Sequence, residues 1–118
     1  MARILLADDN ADQVTLQQAI LTAEGHEVFT AVSSTEALHL IVRCSPDLVL
    51  ADLRMPRVAD GLGLIRAIRE SGCLAPIILL SGWPDDIYGT PEQEMVSRVL
   101  LKGSTRELLA AIAELSAR

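Results

Sequence analysis

Five polar residues stand directly after apolar runs: Asp8 and Asp9 follow Ile4–Ala7, Asp52 follows Leu48–Ala51, Ser81 follows Ile77–Leu80, and Lys102 follows Val99–Leu101. Each has an ordinary explanation alone, as a helix cap, a turn residue, a loop serine or an exposed strand end. Together they suggest a reaction. Three carboxylates gathered in one place repel and raise one another's pKa unless a cation neutralises them. Mg²⁺ suits that need, since it takes oxygen ligands from one or two carboxylates and keeps water or phosphate oxygens on its other positions. Lys102 adds a second positive group able to pair with a carboxylate or a phosphoryl oxygen, and Ser81 adds a hydroxyl donor. These parts fit phosphoryl transfer to a carboxylate, with Asp52 as the nucleophile and the positive charges offsetting charge on the transferring group. The resulting acyl phosphate is labile, so the same site would also hydrolyse it.

Those residues need elements that carry them to one edge. The apolar runs suited to buried strands are Ile4–Ala7, Val28–Ala31, Leu48–Ala51, Ile77–Leu80 and Val99–Leu101, separated by segments of helical patterning. Strands that alternate with helices imply a doubly wound, five-stranded parallel sheet. Ligands bind such sheets beyond the carboxyl ends of the strands, where strand order reverses. With the order 2-1-3-4-5, the second strand is an outer edge. It is also the one run without a chemically useful end, closing on Thr30-Ala31.

Five helices are expected. Asn10–Gln13, Ser33–Glu36 and Ser104–Glu107 read as capping boxes that open the first, second and fifth. The first runs to about Ala23 and stops at Glu24-Gly25. The second ends at Ser45-Pro46, the third spans about Leu62 to Glu70, and the fifth runs almost to Arg118. Gly89 and Pro91 interrupt the fourth, which should be short, late or broken, with a fresh start at Thr90-Pro91 and Gln93 closing a box. The stripe Leu108, Leu109, Ile112 and Leu115 is core packing for the last helix.

The 118 residues, half of them apolar, fit one domain over 1–118 with a core that needs no staples. A formal charge of −6 disfavours direct binding to nucleic acid or anionic membrane. Only Phe29, Trp83 and Tyr88 are aromatic, too few for a base-stacking platform. Cys44 and Cys73 lie in no metal or redox spacing and read as reduced, partly buried thiols. The start reaches acidic residues too soon for a signal peptide and no apolar run approaches a membrane span, so a cytoplasmic protein is expected. His26 and His39 fall away from the acidic cluster and are expected at the surface.

The set Asp8-Asp9, Asp52 followed by Met55-Pro56, Ser81-Gly82 and Lys102, in that order and spacing, resembles the receiver domains of two-component response regulators over essentially the whole chain. The resemblance implies a flavodoxin-like, chemotaxis-receiver-type fold. It implies that a phosphohistidine on a histidine kinase or histidine phosphotransfer protein donates to Asp52. Asp9 would hold Mg²⁺ directly, Asp8 mainly through water, and Arg54 through its backbone carbonyl. Ser81 and Lys102 would contact the phosphoryl group. Such a chain is no conventional enzyme, although it catalyses its own phosphorylation and dephosphorylation. The face of helix four, strand five and helix five would signal to a downstream protein or fused effector and serve homodimers.

Several positions depart from the family pattern. Arg57-Val-Ala precedes Asp60-Gly61 where two residues are common, which suggests a one-residue insertion in the loop beside the site. Gly103 follows Lys102 where proline is typical; a cis bond there would cost roughly 3 kcal/mol, leaving open a trans bond with a rearranged loop. Val99 stands where many receivers carry Tyr or Phe. Arg54 and Trp83, two residues beyond Asp52 and Ser81, occupy positions that flank the phosphoryl group and influence its lifetime. A receiver-like interaction module that no longer accepts phosphate is the alternative. An aspartyl phosphatase would want an Asp two residues after the nucleophile, and a flavodoxin-type carrier would want a hydroxyl- and glycine-rich first loop.

Overall fold

In the computed structural model, which describes residues 2–116, the strands are β1 (Arg3–Ala7), β2 (Glu27–Ala31), β3 (Leu48–Asp52), β4 (Ile77–Ser81) and β5 (Arg98–Leu101). They form one parallel sheet in the order β2-β1-β3-β4-β5, as expected. Burial explains the order. β3 and β4 are buried along their whole length and occupy interior positions, whereas β2 and β5 are only partly buried and take the edges.

Side chains alternate between two faces of the sheet. Leu5, Val49, Ala51, Ile77 and Leu79 pack with α2 (Ser34–Cys44) and α3 (Val58–Glu70) through Ala37, Ile41, Leu64, Ile65 and Ile68. Ile4, Leu6, Leu48, Leu50, Ile78 and Leu80 pack on the other face with α1 (Ala11–Ala23) and α4 (Thr105–Ser116), through Val14, Leu21, Leu108 and Ile112. Leu115 is buried with them and Leu109 packs at the margin, so the apolar stripe of the last helix is core as expected. None of these helices is long and apolar enough to cross a membrane.

The helix starts bear out the sequence signals in part. Asn10 Oδ1 accepts from the Asp12 and Gln13 N–H groups, Ser33 Oγ from Glu36, and Ser104 Oγ from Glu107. The Glu36 carboxylate reaches one residue further back than a standard box, to the N–H of Val32. Residues 117 and 118, into which the last helix was expected to run, lie outside those described.

Two expectations are corrected. There are four α-helices and not five, because the segment between β4 and β5 forms two 3₁₀ turns, Pro84–Asp86 and Pro91–Met95. Proline opens each turn, and Gly89 separates them with φ +81°. Thr90 makes no side-chain cap; its hydroxyl donates to the Ile87 carbonyl, and Gln93 accepts from Gly89. The third helix begins at Val58, four residues before Leu62. Val58, Ala59 and Asp60 are thus the first helical turn and not a widened loop. Asp60 secures that start by accepting from the Arg57 N–H at 3.2 Å.

His39 is exposed, as expected, while His26 is partly buried and accepts the Ala2 N–H at Nδ1. Cys44 and Cys73 are free, partly buried thiols.

Candidate functional site

The carboxyl ends of β1, β3, β4 and β5 meet along one edge, and a shared local turn aims three of their side chains. Asp8 Oδ1 accepts from the Asn10 N–H at 3.0 Å, Asp52 Oδ1 from Arg54 at 3.1 Å, and Ser81 Oγ from Trp83 at 3.0 Å. Aspartate and serine make such turns readily because a short side-chain oxygen reaches an N–H two residues on. Each strand thereby stops with its oxygen held at the crevice. Lys102 arrives differently, its N–H donating to the Ser81 carbonyl at 3.0 Å so that β5 stays paired to its end.

Asp8, Asp52 and Ser81 are buried, and Asp9 is exposed. Carboxylate oxygens of Asp8, Asp9 and Asp52 lie within 4.8 Å of one another. Lys102 Nζ donates to Asp52 Oδ2 at 2.7 Å and stands 4.0 Å from Asp8 Oδ2. Burial pushes the Asp8 carboxyl above its ordinary pKa, and the charge of Asp52 adds to this. The Asn10 N–H and Lys102 oppose both effects. A site with three carboxylates and one ammonium keeps an excess of negative charge. Three oxygen donors on that scale, one open to solvent, fit a hard divalent cation.

All five polar residues singled out from the sequence are therefore at one edge. Arg54 is there too, its backbone beside Asp52 and its guanidinium directed outward to Asp86 Oδ2 at 2.9 Å. Trp83 is exposed beside it. Asp86 belongs to this edge and was missed, because a pairing between residues 32 positions apart leaves no local signal.

The two departures nearest the site leave it assembled. Asp60 and Gly61 are in α3, where Gly61 is required: a Cβ there would lie 1.6 Å from the Leu53 carbonyl oxygen, just after Asp52. The Lys102–Gly103 bond is trans, and Gly103 turns the chain with φ +108°. Val99 is partly buried and packs against the core on the α2–α3 side of the sheet.

The sequence matches the profile of the response regulator receiver domain over residues 4–114. It is similar to the transcriptional regulatory protein AfsQ1 of Streptomyces coelicolor, 40% identical over 84 residues that make up 71% of this chain and 36% of that one. It is also similar to the response regulator PleD of Caulobacter vibrioides, 39% identical over 93 residues, 75% of this chain and 20% of that one. The matched region thus spans about a third and a fifth of these two relatives. Among solved structures, TrrA of Thermotoga maritima, a response regulator crystallised in complex with Mg²⁺-BeF, superposes with a TM-score of 0.87 at 30% identity, covering 98% of this chain and 99% of that one. A receiver domain protein from Clostridium thermocellum gives 0.88 at 30% identity, covering 100% and 96%.

Proposed function

The chain belongs to the response regulator receiver family, and from that premise we propose that it is a phosphorylation switch with Asp52 as the phosphoacceptor. The observation that carries this reading is the placement of a buried Asp52 between Lys102 Nζ at 2.7 Å and the carboxylates of Asp8 and Asp9. A phosphohistidine on a histidine kinase or phosphotransfer protein is the donor. The phosphorus–nitrogen bond breaks as an Asp52 oxygen bonds to phosphorus, and the imidazole leaves to be protonated. In hydrolysis, water attacks phosphorus, the Asp52 oxygen–phosphorus bond breaks, and inorganic phosphate departs.

Asp8, Asp9, Asp52 and the Arg54 backbone carbonyl would hold Mg²⁺. When bound, that ion supplies positive charge to phosphoryl oxygens in the crevice. Lys102 exchanges its bond with Asp52 for one with the phosphoryl group, so that a charge present in the resting site follows the charge that arrives. The Ser81 hydroxyl, whose oxygen accepts from Trp83, keeps its proton free to donate to a phosphoryl oxygen. The proposed setting is cytoplasmic, with a downstream protein or fused effector reading the face of the 3₁₀ segment, β5 and α4. A homodimer would use the same face.

Incubation with acetyl phosphate and Mg²⁺, followed by intact mass, tests the reading. A phosphoryl adduct on the wild type that disappears in Asp52→Asn is the expected result. No adduct from acetyl phosphate, phosphoramidate or a phosphorylated histidine protein would instead favour an interaction module that no longer accepts phosphate.

A further inference from the structure

Asp86 has no role in the chemistry described above, yet its carboxylate holds the side chain of Arg54, which stands two residues beyond Asp52 on the same edge. Arg54 is fixed at its backbone by the bond from its N–H to Asp52 Oδ1, so only its side chain can choose a partner. In the resting protein that partner is Asp86 Oδ2 at 2.9 Å. The Arg54 side chain is 58% exposed and that of Asp86 25%, so water screens the pair and it is readily exchanged. A phosphoryl group offers nearly twice the charge of a carboxylate and three acceptor oxygens, which the guanidinium fork matches well.

We propose that Asp86 is a positioning residue that sequesters Arg54 in the resting state, and that phosphorylation of Asp52 transfers Arg54 from Asp86 to the phosphoryl group, releasing the first 3₁₀ turn. The proposal rests on the phosphoacceptor reading. It assigns the readout to the stretch Trp83–Ile87. That stretch has two polar tethers to the crevice, the Trp83 N–H to Ser81 Oγ and Asp86 to Arg54, and phosphorylation engages the other end of both. The second turn is anchored elsewhere. Glu92 pairs with Arg66 at 2.7 Å, and Arg69 donates to the Met95 carbonyl from both Nε and Nη2, fixing that turn to α3. Gly89, at φ +81°, separates the two turns and offers a pivot. Val99 offers no aromatic ring to carry the signal, so an electrostatic exchange at Arg54 takes that place.

Trp83 is the sole tryptophan and sits at the start of the first turn, so its fluorescence reports this stretch directly. Beryllium fluoride with Mg²⁺ is the probe, titrated against wild type, Asp86→Asn, Asp86→Glu, Arg54→Ala and the Arg54→Ala, Asp86→Asn double variant. Asp86→Asn should bind the probe about threefold or more tightly than wild type, with at most half the wild-type Trp83 response. Asp86→Glu should restore wild-type behaviour. Removing Asp86 should have no effect once Arg54 is absent, a coupling that two independent surface changes do not show. An Asp86→Asn affinity within twofold of wild type, or additive effects in the double variant, would overturn the exchange. Intact mass after acetyl phosphate treatment separates the two layers. Wild-type adduct with additive variants removes only the role of Asp86, whereas no wild-type adduct from any donor removes both readings.

Discussion

Asp52 and Glu92 invite comparison because each is a buried carboxylate whose nearest cation stands 2.7 Å away. Their side chains are both 7% exposed, against 37% for Lys102 and 51% for Arg66. Distance and burial therefore do not distinguish them. Asp52 shares its edge with Asp8 and Asp9, so one ammonium leaves negative charge uncompensated and a further cation is favourable there. Glu92 has one arginine, and its Oε2 is buried without a hydrogen-bond partner among the described residues. The first pair lies where four strand ends converge on an open crevice; the second clamps a 3₁₀ turn onto α3. The pair at Asp52 is left with negative charge that a further cation would offset, whereas the pair at Glu92 fastens one element to another.

The comparison can be broken from either end. The largest expected effect is chemical. Asp52→Asn should abolish the phosphoryl adduct seen by intact mass, while Glu92→Gln keeps it, and an adduct that persists in Asp52→Asn would remove the distinction. Next comes Arg66→Ala, which strands a buried carboxylate and should cost about 3 kcal/mol in urea unfolding, with no recovery on adding Mg²⁺. Lys102→Ala should cost less, about 2 kcal/mol in Mg²⁺-free buffer, and Mg²⁺ should restore most of that loss. Equal rescue of both variants would show that the two sites do not differ in their appetite for a cation.

Asp8→Asn sharpens the point by sign. Without Mg²⁺ it should raise the melting temperature by relieving crowding among carboxylates. In Mg²⁺ it should fall below wild type, because the wild type alone keeps the full donor set. The smallest effect expected is kinetic. The Arg54→Ala, Trp83→Ala double variant should lose its phosphoryl group about threefold faster, since both bulky side chains stand at the mouth of the crevice and restrict attacking water. Unchanged hydrolysis would place neither side chain over the phosphoryl group.

The five strand positions and the gathering of Asp8, Asp9, Asp52, Ser81 and Lys102 were legible from apolar runs of strand length, four of them followed by a polar residue and the fifth, β2, falling at the sheet edge. The start of α3 was not, since Arg57 lacks the acceptor side chain that advertises a helix cap. The carboxylate of Asp60 acts backward from inside the helix instead. The segment between β4 and β5 was readable as interrupted, but its proline and glycine positions did not reveal that no α-helical turn would survive. Arg66, Arg69 and Asp86 were silent for one reason. The bonds that tie Arg66 and Arg69 to the second 3₁₀ turn and Asp86 to Arg54 span 26 to 32 residues, and no periodicity connects their ends.

Gly103 carries a consequence for any attempt to redesign this chain toward its relatives. Its φ of +108° lies in territory closed to proline, whose ring holds φ near −65°. Installing the proline typical after the family's lysine would therefore act here as a backbone lesion, prising the start of α4 away from the end of β5. The glycine and its loop conformation must change together or not at all, so a substitution that looks like a return to the family pattern is a step into a different local structure.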